Sequence, residues 1–157
     1  MTAPTPDFSS VQEFRESNRR MAESILTTEP APYADGGYVR RVLEIRGRVS
    51  GQTHLVPIAV ISLAGSRYVV SPVRRRNWVQ NLLADPRCIV RSRDAHERTR
   101  ATFLDDTGCV AEVVSTYIAL MNAPWAVAQF PFPADASRAQ IESAADGVAV
   151  FRLDLDN

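Results

Sequence analysis

Lysine is missing from this sequence, so all 18 of its basic residues are arginines. Without a lysine amine the protein can form no Schiff base and no P-loop, and guanidiniums are its only permanent cationic anchors. The 18 acidic residues bring the formal net charge to zero. No global field therefore attracts nucleic acid or a membrane surface, and any positive site has to be local.

Cysteine and histidine are scarce, with two residues of each. Cys88 and Cys109 stand far apart and form no CxxC or CxxH pattern, so we expect two free thiols and no metal site. His54 and His96 have no serine or cysteine partner at a recognisable spacing. A nucleophilic triad is therefore not expected.

Long apolar runs are also absent, and no uncharged stretch approaches membrane-spanning length. The first seven residues, MTAPTPD, contain neither the basic nor the apolar region of a secretory signal. We therefore expect a cytoplasmic protein without a membrane span. A chain of 157 residues can bury a core without disulfides or metal, and we interpret residues 1–157 as one domain.

Hydrophobic periodicity predicts an α+β domain. An amphipathic helix is predicted over about residues 9–28, with Ser10 and Glu13 as its capping box and an apolar stripe through Val11, Phe14, Met21, Ile25 and Leu26. The remaining pattern, about residues 38–155, predicts strands over 38–46, 54–63, 67–72, 87–93, 97–105 and 148–155. Further helices are predicted from Trp78, from Asp106 or Thr107, and from a capping box at Ser137 and Gln140.

The order of these elements places a helix after the third strand and two before the sixth. That order suits a small six-stranded closed or split β-barrel with peripheral helices. A doubly wound sheet would need a helix between nearly every pair of strands. Pro57 lies in the apolar second strand, and since proline cannot donate to a ladder it predicts a bulge or an edge position open to a ligand.

Two arginine loops flank the second and third strands. The first arginine loop, residues 46–52 (RGRVSGQ), combines guanidiniums, glycines and a hydroxyl that suit a bend around a phosphate, although the glycines are equally typical of a hairpin turn. The second arginine loop, residues 71–77 (SPVRRRN), precedes a helix start, whose N–H groups and dipole favour an anion. An RRR run alone is most often solvated. Two anion sites one hairpin apart indicate an elongated, multiply charged cofactor.

The series RGRVSGQ, a proline in the next strand, GSRYVVSP, a basic loop and NWVQNLLADP resembles the deazaflavin-dependent nitroreductase family. The resemblance is clearest over residues 37–90, and the terminal VAVFRL is similar to the closing strand of the family. It implies a split barrel of the flavin-binding superfamily that uses reduced coenzyme F420.

The resemblance also implies a set of cofactor contacts. The phosphate and acidic tail of the coenzyme would meet the first arginine loop through Arg46, Arg48, Ser50, Gly51 and Gln52. They would also meet the second arginine loop through Ser71, Arg74, Arg75 and Arg76. Pro57 and Ile58 match the strand whose backbone faces the deazaflavin ring. Trp78 and Asn81 match the helix packed beneath it, and Tyr117 matches a pocket-lining tyrosine.

The implied activity is hydride transfer from F420 to a quinone, enone, imine or nitroaromatic, with Ser71 or Tyr117 stabilising developing negative charge. From the residues alone, Trp78 and Tyr117 are more typical of a core than of a site, and the QFPFP segment at residues 129–133 is either a barrel cover or a substrate lid. Two alternatives stay open: an FMN-dependent oxidase or reductase on the same barrel, and a non-redox accessory domain. A small-molecule substrate is the expected partner, and a homodimer is common for such barrels.

Overall fold

The computed structural model describes residues 8–156, with side chains from Arg15 onward. In chain order the elements are α1 (Phe8–Thr27), β1 (Tyr38–Arg46), β2 (Thr53–Leu63), β3 (Ser66–Ser71), α2 (Asn77–Ala84), β4 (Arg87–Arg91), β5 (His96–Phe103), α3 (Thr107–Met121), α4 (Pro124–Val127), α5 (Arg138–Ser143), a 3₁₀ turn (Ala145–Gly147) and β6 (Ala149–Leu155).

The strands close into one antiparallel barrel in the order β1-β2-β3-β6-β5-β4. This confirms the predicted α+β class and the six-stranded barrel with peripheral helices. β1 has the predicted bounds. β4 ends at Arg91 rather than at residue 93, because the Ser92 N–H donates to the Ala95 carbonyl at 3.0 Å and the chain turns there.

Side chains alternate between the barrel interior and its outer face, as the two-residue period of a strand requires. In β3, Val69 packs inside with Phe151, whereas Val70 packs outside beneath α3. Full burial of a side chain of this size stabilises the fold by roughly 1.5–3 kcal/mol. The inner cluster includes Leu43, Ile45, Val60, Val69, Leu82 and Phe151. The outer cluster includes Ile61, Val70, Val110, Val114, Ile141 and Val150.

Local capping sets the helix ends. Asp106 is the N-cap of α3, where its Oδ1 accepts a hydrogen bond from the Cys109 N–H at 2.9 Å, and Asn122 ends the helix in the left-handed region at φ 44°. The capping box at Ser137 and Gln140 is confirmed at α5. The short helix α4 was not predicted.

The predicted N-cap of α1 is wrong. α1 already includes Phe8, so Ser10 lies within helical backbone, whereas an N-cap residue is extended. The side chains of the predicted stripe residues Val11 and Phe14 lie outside the described part. Ile25 and Leu26 are half-buried, but Met21 is 44% exposed.

The closed barrel has one seam, between β2 and β3, along which strand pairing is incomplete. β2 pairs with β1 from Thr53 to Ile61, but it pairs with β3 only from Ile61 to Leu63. Residues 53–60 of β2 therefore have no strand partner on the side away from β1, and we call this side the open edge of β2. Pro57 lies on this edge in unbroken register with Val42, so the predicted edge position is confirmed and the alternative of a bulge is wrong.

Candidate functional site

The seam lies in the most cationic part of the sequence. Residues 45–84 include no aspartate and no glutamate. They contain the arginines Arg46, Arg48, Arg67, Arg74, Arg75 and Arg76. Apart from Arg67, these lie in the two arginine loops, so each loop carries positive charge with no acidic residue within its own stretch of sequence.

The first arginine loop is a tight turn that bonds largely to itself. The Gly47 N–H donates to the Gln52 carbonyl at 2.8 Å, and the Gly51 N–H donates to the Gly47 carbonyl at 3.0 Å. The Gln52 N–H donates to Ser50 Oγ at 3.1 Å. Gly51 has φ +72°, which glycine adopts at no steric cost. Since these amides are used within the turn, contact with an anion falls mainly to the arginine side chains.

Asn81 fixes this loop against α2. The amide side chain of Asn81 is buried, and its Oδ1 accepts hydrogen bonds from the Arg48 backbone N–H at 3.1 Å and from Arg48 Nη1 at 2.7 Å. Arg48 Nη1 also lies 3.4 Å from the Asn77 carbonyl oxygen. The two arginine loops, which are separate in the sequence, thus meet at the start of α2.

The three consecutive arginines of the second arginine loop have different environments. Arg74 is used internally: its Nε donates to the Val148 carbonyl at 2.7 Å and its Nη2 to the Ala145 carbonyl at 2.8 Å. Arg75 is exposed to solvent. Arg76 is half-buried and donates to Gln129 Oε1. Of the three arginines, only Arg75 has the solvent exposure expected of a surface loop residue.

The start of α2 offers unpaired donors between the loops. Its N-cap residue is Arg76, and no side chain caps the helix. The N–H groups of the first turn of a helix have no partner within the helix, and they carry the positive end of its dipole. Arg48 on one side and Arg75 on the other extend this positive region. We call Arg48, Arg75 and the first turn of α2 the basic anchor.

Ser71 is less accessible than the sequence suggested. The residue is fully buried, and its hydroxyl donates to the Val73 carbonyl at 2.7 Å while accepting from the Val73 N–H at 3.3 Å. This arrangement bends the chain from β3 into the second arginine loop. In this conformation the hydroxyl proton is used within the loop.

The backbone of β2 faces the seam in a defined pattern. The Ser62 N–H donates to the Gly37 carbonyl and the Gly47 N–H to the Gln52 carbonyl, so even-numbered residues of β2 direct their backbone groups towards β1. Odd-numbered residues consequently direct theirs to the open edge. There Pro57 presents only its carbonyl, and Ala59 presents both N–H and C=O.

Several partly buried side chains near the unpaired part of β2 pack against the inner cluster. Ile58 and Val56 pack partly buried against the inner core, and so does Trp78, whose ring lies 6.1 Å from that of Phe151. Trp78 therefore takes part in the inner core, and its predicted place beneath a cofactor stays a prediction.

Tyr117 packs half-buried against the outer cluster. It projects from α3, and its ring meets the Phe130 ring edge-on at 5.8 Å. Burial raises the pKa of the Tyr117 hydroxyl, the nearby Arg76 opposes this rise, and Tyr38 at the start of β1 adds to it. Tyr38 and Gln129 were not singled out in the sequence, because nothing local to either residue indicates that they approach α3 and Arg76.

Other features of the described residues give no competing site. The two best-defined cavities, about 370 Å³ and 320 Å³, are surface hollows, and neither is lined by residues of the arginine loops. Among the side chains described, those of residues 15–156, no cluster of three or more His, Cys, Asp or Glu is able to hold a metal ion. Within the same range, no helix has both the length and the apolar character needed to cross a bilayer.

The chain matches no protein-family model and no curated protein, but solved structures share its fold. A protein provisionally assigned to 5-nitroimidazole antibiotic resistance in Bacteroides thetaiotaomicron is 12% identical, with a TM-score of 0.52 over 88% of this chain and 80% of that one. A conserved hypothetical protein from Mycobacterium tuberculosis is 13% identical, with a TM-score of 0.50 over 88% and 80%. A protein solved as a domain-swapped dimer is 15% identical, with a TM-score of 0.50 over 94% and 98%. This similarity is one of fold, and the fold is that of split-barrel-like proteins.

Proposed function

We propose that this protein is an oxidoreductase that binds the deazaflavin coenzyme F420 and reduces an electrophilic small molecule such as a quinone, enone, imine or nitroaromatic. One observation carries the proposal. The open edge of β2 ends beside the basic anchor, so a flat ring along the edge and an anionic tail at the anchor can be held by one continuous surface.

The residues present fit such a cofactor. The ring of a deazaflavin has a polar edge with carbonyl oxygens and an N–H group, which the Ala59 N–H and the Pro57 carbonyl complement. Phosphate and carboxylate groups suit Arg48, Arg75 and the uncapped start of α2. When bound, the reduced coenzyme supplies a hydride from its ring C5.

In this scheme the residues of the chain bind the cofactor, orient it and shield it from solvent. Arg48, held by Asn81, and Arg75 fix the position of the cofactor through charge-assisted hydrogen bonds remote from the reacting atom. Tyr117 is protonated near neutral pH, as any tyrosine is, and burial raises its pKa further. It can therefore donate a hydrogen bond to a substrate oxygen on which negative charge develops.

FMN is the second candidate cofactor, and one observation favours it. The two arginine loops converge on a single helix start, and one ribityl phosphate would satisfy a single anion site. The stretch from residue 45 to residue 84, which has no acidic side chain, favours the more highly charged F420.

We also propose a homodimer. α1 contacts β1 and β2, yet within residues 15–27 only Ala22 is buried and Met21 stays 44% exposed. One protein of similar fold is a domain-swapped dimer. Light scattering coupled to size-exclusion chromatography distinguishes a dimer from a monomer of 17.4 kDa.

Fluorescence titration of the purified protein with oxidised F420 and, separately, with FMN tests the proposed function. We expect selective binding of F420 that weakens with salt. Arg75→Ala should raise the Kd about 10- to 150-fold, as expected for a hydrogen bond to a charged group worth about 1.5–3 kcal/mol.

Arg93→Ala is the matched control. Arg93 is also exposed and is paired only with Asp94 at the surface, so its removal should leave the Kd unchanged. Binding of FMN alone would assign the second candidate cofactor. Binding of neither cofactor would refute the redox assignment.

A further inference from the structure

The guanidinium of Arg76 has a different partner from those of the basic anchor. It begins α2 as the N-cap residue, but its guanidinium is half-buried and donates to Gln129 Oε1 in the segment after α4. Arg48 and Arg75 instead belong to the basic anchor. Arg76 thus lies on the side of the opening where α3 and residues 129–132 meet.

The surroundings of Arg76 are aromatic. Phe130 contacts Tyr117 edge-on, and it stacks on Phe132 with ring centroids 5.2 Å apart. Phe130 is buried, whereas Tyr117 and Phe132 are half-buried and keep part of their surface accessible. A flat organic ring placed here would meet aromatic surface with one cation at its edge.

Arg76 has no acidic partner. None of the ion pairs found among the described residues includes it. Burial lowers the pKa of Arg76, and Tyr117 partly opposes this shift. A half-buried guanidinium whose hydrogen-bond partner is a neutral amide is incompletely compensated, because a charge removed from water is stabilised best by an opposite charge.

We propose that Arg76, together with Tyr117, recognises an anionic oxygen of the substrate, so that the preferred substrates are flat aromatic or quinonoid acceptors bearing a carboxylate or phenolate. Gln129 occupies the guanidinium in the free protein, and the substrate oxygen takes its place. This inference rests on the proposed function, in which Tyr117 borders the reacting centre.

The test compares two ligands that differ in one group, 4-nitrobenzoate and the neutral 4-nitrobenzamide. Isothermal titration calorimetry measures the binding of each to the full-length protein without cofactor and again with F420 added. We expect nitrobenzoate to bind at least tenfold more tightly than nitrobenzamide. Arg76→Gln should abolish this preference, and Arg93→Gln, at a surface arginine paired with Asp94 outside the site, should retain it.

A second variant separates recognition from folding. Gln129→Leu removes the neutral partner of Arg76 but leaves the cation, so nitrobenzoate should bind as tightly as before or more tightly. Loss of the preference in Gln129→Leu would overturn the proposal, and so would an equal affinity of the unmodified protein for both ligands.

The outcomes also separate this inference from the proposed function. If the protein binds F420 but shows no preference for the carboxylate, the inference fails and the proposed function stands. If the preference depends on Arg76 but neither F420 nor FMN binds, the protein has an anion-selective aromatic site and the redox assignment fails.

Discussion

Asn81 allows the two roles of the first arginine loop, stability and charge, to be separated. Its Oδ1 accepts both the Arg48 N–H and the Arg48 guanidinium. Asn81→Ala removes the acceptor. Asn81→Asp keeps an acceptor of nearly the same shape, but it places a carboxylate directly on Arg48. Only the second change neutralises the basic anchor without releasing the loop.

The two variants should differ in what they change: Asn81→Ala should mainly lower the free energy of unfolding, and Asn81→Asp should mainly weaken F420 binding. Asn81→Ala loses one neutral and one charge-assisted hydrogen bond, nominally about 1 and 1.5–3 kcal/mol. Arg48 is exposed and its guanidinium regains water, so the expected loss in the free energy of unfolding is near the lower end of the summed range, about 2.5 kcal/mol. Asn81→Asp should change stability by less than about 1 kcal/mol, because the new ion pair offsets the cost of placing a carboxylate there.

Urea unfolding measures the first quantity and F420 fluorescence titration the second. Asn81→Asp should weaken F420 binding about 10- to 150-fold, which corresponds to the loss of one arginine contact of about 1.5–3 kcal/mol. The effect should shrink at high salt. Unchanged F420 affinity in a fully stable Asn81→Asp protein would show that Arg48 does not contact the cofactor.

Three further predictions concern stability. Arg74→Ala should lower the free energy of unfolding by about 2–4 kcal/mol through loss of its two carbonyl contacts, whereas Arg75→Ala should change it by less than about 0.5 kcal/mol in urea titrations. Burial raises the pKa of Cys88 from 9.0 to about 12. The unfolded thiol therefore ionises first, and stability should fall from about pH 9 towards pH 12 by up to about 1.4 kcal/mol per pH unit, a loss absent in Cys88→Ala. Tyr33→Phe should be neutral or stabilising by up to about 1 kcal/mol in thermal unfolding, because the buried Tyr33 hydroxyl has no partner.

Much of the fold follows from local patterns. β1 has the predicted bounds because apolar alternation and flanking turn residues coincide there. The capping box of α5 could also be predicted, because it depends only on Ser137 and Gln140, three residues apart. Ser10 shows the limit of such patterns, since a serine followed three residues later by glutamate also occurs inside a helix.

The roles of individual side chains depended on distant parts of the chain. Arg74, Arg75 and Arg76 are indistinguishable in sequence, yet their environments are set by carbonyls near residue 148, by solvent and by Gln129. Ser71 was predicted to face a ligand; its hydroxyl donates to the nearby Val73 carbonyl, and the predicted role stays a prediction. No periodicity reports contacts made more than fifty residues away.

The open edge of β2 has a consequence for the behaviour of the protein in a crowded solution. Unpaired strand edges are templates on which another chain can add a strand, and this is a common start of aggregation. Pro57 lies in the middle of the open edge, residues 53–60, and offers no N–H there. An added strand would lose a ladder hydrogen bond there and meet the proline ring. Pro57 thereby makes this stretch of β2 a poorer template for a strand of another chain.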